Sequence, residues 1–172
     1  MKNKVCIFIE TFFMVLSLPL CCYSQTSASI DTLPNGNVLV EVNGISAIVL
    51  KDAIKWKDGV VSSWSPTVEE LVICEKLVMK YVQKHSKECN VHPGDQHPVI
   101  CENFDNYYWQ FYCYFDEYGH KIALVECVWK DKAEALDLKW KEKLIGICGG
   151  GSYFWGIKVN MRRKKCFSFC YN

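Results

Sequence analysis

The chain has 172 residues, half of them apolar, and 20 lysines and arginines against 19 aspartates and glutamates. This length suits one domain with a sizeable core. The balanced charge excludes the strongly basic composition that attracts nucleic acid or an anionic membrane surface, so neither partner is predicted. We predict a single domain over residues 25–172, behind a removable leader.

Residues 1–24 have the pattern of a signal peptide. Two lysines near the start precede an apolar stretch, and a small-residue cleavage site precedes Gln25. The apolar stretch is too short to cross a membrane comfortably, so no integral span is predicted in the mature chain. We therefore expect export to the periplasm or the extracellular space. A lipoprotein anchored through Cys21 or Cys22 is the alternative.

The cysteine count bears on disulfides, because eight of the 11 cysteines remain after removal of the leader. An even number in an exported chain indicates disulfides, whose connectivity a sequence does not fix. A bridge between Cys89 and Cys101 is predicted because it would close a short loop that contains proline and glycine. Cys166 and Cys170 lie about 13 Å apart on one predicted strand, which is too far to bridge. Buried free thiols are the alternative, since cysteine packs well as a small apolar residue.

The first predicted elements form a small hairpin over residues 38–50. The dipeptide Asn43-Gly44 is a strong two-residue turn signal, and it places Val42 opposite Ile45. Residues 51–63 follow as a charged loop.

One main helix is predicted to begin after Thr67. Thr67 and Glu70 have the spacing of a capping box, and Ser65 followed by Pro66 is the alternative start. Apolar side chains then recur at helical spacing, at Leu71, Cys74, Val78 and Tyr81. This stripe is expected to lie on the sheet, and the helical pattern fades near residue 84.

Residues 107–129 predict two long strands joined by a tight turn, with Gly119 in the left-handed conformation. In that register the odd positions form a dry face, which we assign to the core: Trp109, Phe111, Cys113, Phe115, Ala123, Val125, Cys127 and Trp129.

The other face of this hairpin carries Gln110 opposite Glu126 together with several tyrosines, so it is predicted to be at least partly exposed to water. Its candidate ligand-binding residues are Gln110, Tyr112, Tyr114 and Glu126. A cross-strand pair that only stabilises the sheet is the alternative.

The second half of the chain is predicted as a run of short elements. They are a helical or irregular crossover at 131–141, a strand at 144–148, a glycine turn at 149–151, and strands at 152–160 and 166–171. The basic run at 162–165 then lies in a hairpin turn. Such a run either binds an acidic partner or is a solvated tip.

A zinc site is one interpretation of the loop that holds Cys89, His92, His97 and Cys101, since two sulfurs and two imidazoles can form a tetrahedral site. The spacing matches no common zinc motif, and an exported cysteine oxidises more readily than it binds metal. We therefore prefer a loop closed by a disulfide and predict no metal and no other cofactor. No nucleophile with a nearby base is identifiable, so no catalytic residue is predicted.

Several local motifs are similar to those of known exported proteins. They are the helix opening Trp64-Ser65-Pro66-Thr67, the strand Tyr107-x2-Gln110-Phe111, the turn Gly119-His120-Lys121, and the segments 150–154 and 158–160. Together they resemble a group of small exported proteins of the Bacteroidetes type, from about residue 38 to the end. The resemblance assigns no activity and no catalytic residue.

A helix followed by an antiparallel meander predicts an α+β fold. We expect one main helix in the N-terminal half, packed on a curved antiparallel sheet of four or five strands in consecutive hairpins. This layout is similar to cystatin or nuclear-transport-factor-like folds. The predicted function is an exported non-catalytic protein that binds another protein or a small ligand. The alternatives are an immunity-type inhibitor of a secreted toxin and a metal-dependent enzyme that uses residues 89–101.

Overall fold

The structure, a computed structural model, describes residues 28–42, 44–51, 60–90, 97–147 and 149–171. Several sequence predictions concern other parts of the chain. The leader, the turn residue Asn43, most of the loop at 51–63, His92 and Cys148 all lie outside the described residues.

The described residues form one main helix and an eight-stranded, mostly antiparallel sheet, which is an α+β architecture. The strands are β1 (Ala28–Thr32), β2 (Val38–Val42), β3 (Ile45–Val49), β4 (Val60–Ser63), β5 (Tyr107–Asp116), β6 (Lys121–Trp129), β7 (Phe154–Asn160) and β8 (Lys165–Tyr171). The helices are α1 (Val68–Lys84) and the short α2 (Lys130–Ala135), accompanied by three single turns of 3-10 helix. The strand order is β1-β2-β3-β5-β6-β7-β8, with β4 also paired to β5.

The sheet has more strands than the four or five predicted, because two separate strands share one edge of β5. β3 pairs with the first part of β5 in parallel and places Ala47 opposite Trp109. β4 pairs with the end of β5 in antiparallel and places Ser63 opposite Tyr114. A parallel pair is joined by a long connection and leaves no local turn signal, so the sequence does not reveal it.

The central hairpin of β5 and β6 has the register that its turn predicts. Trp109 lies opposite Cys127 and Tyr112 opposite Leu124. Gly119 adopts a positive φ of 73°, as the tight turn requires. The Asp116 carboxylate accepts hydrogen bonds from backbone N–H groups within this turn.

The helix α1 begins at the predicted capping box. The Glu70 amide donates to the Thr67 hydroxyl at 3.2 Å, and the Thr67 amide donates to the Glu70 carboxylate at 3.0 Å. Leu71, Cys74 and Val78 of α1 share a buried cluster with sheet residues that include Trp109 and Phe111. Burying each large apolar side chain stabilises the fold by about 1.5–3 kcal/mol, so this layer is a major source of stability.

The opposite face of the sheet is covered by the segment that follows α2. The rings of Tyr108 and Trp140 stack with their centroids 4.0 Å apart. Ile145 belongs to a buried cluster with Ile48 and Val128 from the sheet. The predicted strand at 144–148 is wrong for residues 144–147, which form no ladder. No helix within the described residues combines the length and the apolar character needed to cross a bilayer.

Candidate binding site

A cleft of about 400 Å³ opens between the first hairpin, the end of β4 and the start of α1. Its walls are mainly apolar and include Val38, Val40, Val49, Trp64 and Leu71. Val38 and Val40 point to the same face of β2 because side chains along a strand alternate. At the edge of the cleft, Ile30 is 58% exposed. A partly open apolar recess of this size is typical of a small-molecule site.

Trp64 forms a wall whose position is fixed by several contacts. Its backbone N–H donates to the Cys113 carbonyl at 3.0 Å, and its indole Nε1–H donates to the Tyr114 carbonyl at 3.1 Å. The Lys121 ammonium lies 4.6 Å from the centre of the indole ring and 3.0 Å from the Glu70 carboxylate. These contacts join the start of α1 to the central hairpin, so this side of the cleft is preformed.

The polar groups at the cleft come from Lys51 and from three hydroxyl residues near the start of α1, Ser63, Ser65 and Thr67. The Lys51 amide donates to the Asn37 side-chain oxygen at 3.0 Å, and the buried Asn37 amide group donates to the Lys141 carbonyl. The Lys51 ammonium forms no ion pair with any residue that the structure describes. Among the described lining residues, Lys51 thus supplies the cationic group beside apolar walls.

A second, smaller space lies beside the cleft. It measures about 10 Å³ and shares Val40 and Leu71 with the cleft as walls. Glu75, which is buried on α1, also borders it. A space of this size holds at most about one water molecule, so the larger cleft is the part that can admit a ligand.

The four candidate ligand-binding residues of the sequence analysis share one face of the central hairpin, but all four are buried. Gln110 is 0% exposed, Tyr112 3%, Tyr114 8% and Glu126 7%. The prediction that this face is exposed to water is therefore wrong for these four residues. None of the four is among the residues that line the cleft.

The hydrogen bonds of Gln110 attach the segment that follows α2 to this face of the sheet. Its amide nitrogen donates to the carbonyls of Trp140 and Lys143 at 2.6 and 2.8 Å, and its oxygen accepts the Ile145 N–H at 2.8 Å. Gln110 thus supplies hydrogen-bond partners for three main-chain groups of the covering segment. Burial also raises the pKa of the Tyr114 hydroxyl.

The predicted bridge between Cys89 and Cys101 is not formed in the structure, where both residues are free thiols. Cys89 is buried just beyond the end of α1, and this burial, together with Glu88 and Cys101, raises its pKa to about 11. A thiol that stays protonated is slow to oxidise, which fits a core packing role. The described residues contain no group of three or more side chains that could hold a metal ion. His97 is exposed, and His92 lies outside the described part.

Sequence reasoning missed the cleft because its walls come from elements far apart in the chain. The sequence around Val38 and Val40 predicts only a hairpin, and the sequence around Trp64 predicts only the start of a helix. The cleft forms when β3 joins β5 in parallel and brings the hairpin beside α1. No local sequence pattern predicts the pairing of β3 with β5.

Comparison with known proteins gives no match of significance. No protein-family model matches the chain, and no curated protein or solved structure matches it significantly. The resemblance to exported proteins of the Bacteroidetes type remains a prediction.

Proposed function

We propose that this chain is an exported, non-catalytic binding protein that takes a small, mainly apolar molecule with an acidic group into the cleft. The observation that carries the proposal is the cleft itself. Its volume of about 400 Å³ falls in the range of about 300–1,000 Å³ that is usual for small-molecule sites. Such sites combine apolar walls with a few polar groups that orient the ligand.

The acidic group of the ligand is inferred from Lys51. Its ammonium stands at the cleft without a carboxylate partner among the described residues. A carboxylate placed there would gain a charge-assisted hydrogen bond, which is stronger than a neutral one. Ser63 and Ser65 offer further donors nearby.

The apolar part of the ligand is inferred from the walls. Val38, Val49 and Leu71 present hydrocarbon to the cleft, and Trp64 is fixed by its own hydrogen bonds. Binding to walls that are already ordered avoids the entropic cost of immobilising side chains and loops. A flexible hydrocarbon chain is a suitable occupant, since it adapts to an irregular apolar surface.

The test is isothermal titration calorimetry of the purified protein with decanoate and with its neutral analogue decanol. We expect saturable binding of decanoate. Val38→Trp should fill the cleft and abolish this binding, whereas Val61→Trp, at a position 69% exposed on β4 and outside the lining, should leave it unchanged. Thermal unfolding of both variants checks that the fold persists.

The Lys51→Gln variant tests the role of the ammonium separately from that of the apolar walls. We expect it to weaken decanoate binding and to leave decanol binding nearly unchanged, because only the carboxylate contacts the ammonium. Absence of binding by both compounds, or undiminished binding by a folded Val38→Trp variant, would overturn the proposal.

A further inference from the structure

A second groove, of about 290 Å³, lies between the C-terminal half of α1 and the turn that joins β7 to β8. Four lysines line it: Lys80 and Lys84 from the helix, and Lys164 and Lys165 from the turn. Lys80 and Lys84 are four residues apart and so project from one side of α1. The basic run at 162–165 is predicted from the sequence to lie in a hairpin turn. In the structure, two lysines of this run lie across the groove from Lys80 and Lys84.

The conformation of the turn that carries Lys164 and Lys165 is fixed by local contacts. The Arg163 amide donates to the side-chain oxygen of the buried Asn160 at 2.9 Å. Lys164 adopts a positive φ of 49°, a conformation that non-glycine residues rarely take outside turns. These constraints hold the two lysines of the turn beside the groove.

The four lysines lack acidic partners within the part of the chain that the structure describes, since its ion pairs all involve other residues. The nearest acidic group in sequence, Glu88, pairs with His85 at 3.1 Å. Several like charges around one groove raise the local potential and favour an anionic occupant. A complementary partner would gain both attraction and faster encounter.

The floor of the groove is less polar than its rim. Tyr81 stacks on His85 with ring centroids 4.4 Å apart, Leu77 is partly buried, and Cys166 is 7% exposed. An occupant that matches this surface therefore carries apolar groups between its negative charges.

The nature of the cations points to an extended occupant rather than a compact anion. The planar forks of arginine and the N–H groups of a helix N-terminus fit a compact anion such as phosphate, which lysine binds only as a point charge. The described lining of this groove has neither; its cations are lysines spread over the helix and the turn. We propose that the groove binds an acidic peptide segment of a partner protein, with carboxylates on the lysines and apolar side chains on Tyr81 and Leu77.

The test is fluorescence anisotropy with a labelled glutamate peptide that carries leucine at every third position. We expect saturable binding that weakens as salt rises, because exposed charge pairs are screened. The same peptide with glutamine in place of glutamate should not bind. The Lys84→Glu, Lys165→Glu double variant should weaken binding by about tenfold or more, through lost attraction and new repulsion.

The matched control is the Lys132→Glu, Lys143→Glu double variant, which changes net charge equally at two exposed positions away from the groove. We expect its affinity to stay within about twofold of the parent, as distant surface charges are largely screened. Equal weakening by both double variants, or no peptide binding, would overturn the proposal. Displacement of the peptide by millimolar inorganic phosphate, or stronger binding to phosphatidylglycerol vesicles than to the peptide, would also overturn it. The cleft variant Val38→Trp should bind the peptide normally, so this test is independent of the proposed ligand cleft.

Discussion

The carboxylate of Glu126 lies over Gly156, its partner on the neighbouring strand, in the space where any other residue would place its Cβ atom. A Cβ at position 156 would lie 2.7 Å from the carboxyl carbon of Glu126 and 2.8 Å from its Oε1. Atoms of this kind do not approach so closely without displacement. The glycine therefore makes room for a buried acid on the covered face of the sheet.

We expect Gly156→Ala to lower the free energy of unfolding by about 1–3 kcal/mol, the usual cost of forcing extra atoms into a packed site. Urea denaturation measures this change. Gly146→Ala is the matched control, because a Cβ there meets nothing within 4 Å, and it should be nearly neutral. In a Glu126→Ala background the cost of Gly156→Ala should largely disappear; an equal cost in both backgrounds would disprove the steric explanation.

Gln110→Met should lower the free energy of unfolding by about 3 kcal/mol or more. The substitution keeps the length of the side chain but leaves the buried Trp140 carbonyl, the partly buried Lys143 carbonyl and the buried Ile145 N–H without their partner. Each unsatisfied buried group costs roughly 1–3 kcal/mol. Urea denaturation measures the loss, and hydrogen exchange should show a less protected Ile145 amide. Gln83→Met, on the exposed side of α1, is the control and should change stability little.

The local parts of this fold are predictable because they follow from short-range chemistry. The alternation of side chains and the Gly119 turn predict the pairing of Trp109 with Cys127, and the structure has that pairing. Thr67 and Glu70 predict the start of α1 in the same way. In each case the signal acts locally, through a turn that joins two consecutive strands or through a cap at the start of the helix.

The covered face of the sheet was not predictable from its own residues. Gln110 and Glu126 are polar, and polarity on one face of a hairpin normally indicates water. Here the polar groups of Gln110 bond to the main chain of an irregular segment some 30 residues later. That segment has no repeating pattern, so nothing in the sequence shows where it packs. The cleft depends on a similar long-range contact between β3 and β5.

Thr67→Ala should destabilise the protein by about 1 kcal/mol, within the range of about 0.5–2 kcal/mol that is typical for loss of an N-cap side chain. The hydroxyl that accepts the Glu70 amide hydrogen bond is removed. Thermal or urea unfolding measures the effect. Thr67→Ser keeps the acceptor and should retain most of the stability. A loss as large for Thr67→Ser as for Thr67→Ala would argue that packing, rather than capping, is responsible.

Glu70 should make stability depend on pH in the acid range. Burial raises the pKa of this carboxyl, but the hydrogen bond from the Thr67 amide and the contact with Lys121 outweigh it and hold the pKa below its ordinary value of 4.5. A lowered folded pKa means that the stabilisation is present above about pH 4.5 and is lost as pH falls through the folded pKa. The difference in melting temperature between the parent and Glu70→Gln should therefore be large at pH 7 and shrink towards pH 3. A difference independent of pH would contradict this role.

The described cysteines should differ sharply in their reaction with iodoacetamide at pH 8, because the thiolate is the reactive form. Burial raises the pKa of Cys113 to about 12 and raises those of Cys74 and Cys127 well above the ordinary value of 9.0. These three should be modified only after denaturation, whereas the exposed Cys170 should react in the native protein.

Peptide mapping by mass spectrometry without reductant follows the modification residue by residue, and the same map in denaturant is the control. Buried thiols are protected both by their protonated state and by exclusion of the reagent, so protection should be lost in a single step with unfolding. The map also examines the Cys89 and Cys101 thiols, which are free in the structure. A linked peptide containing both residues would restore the disulfide prediction and contradict the free thiols, and rapid native modification of Cys113 would contradict its burial beneath α1.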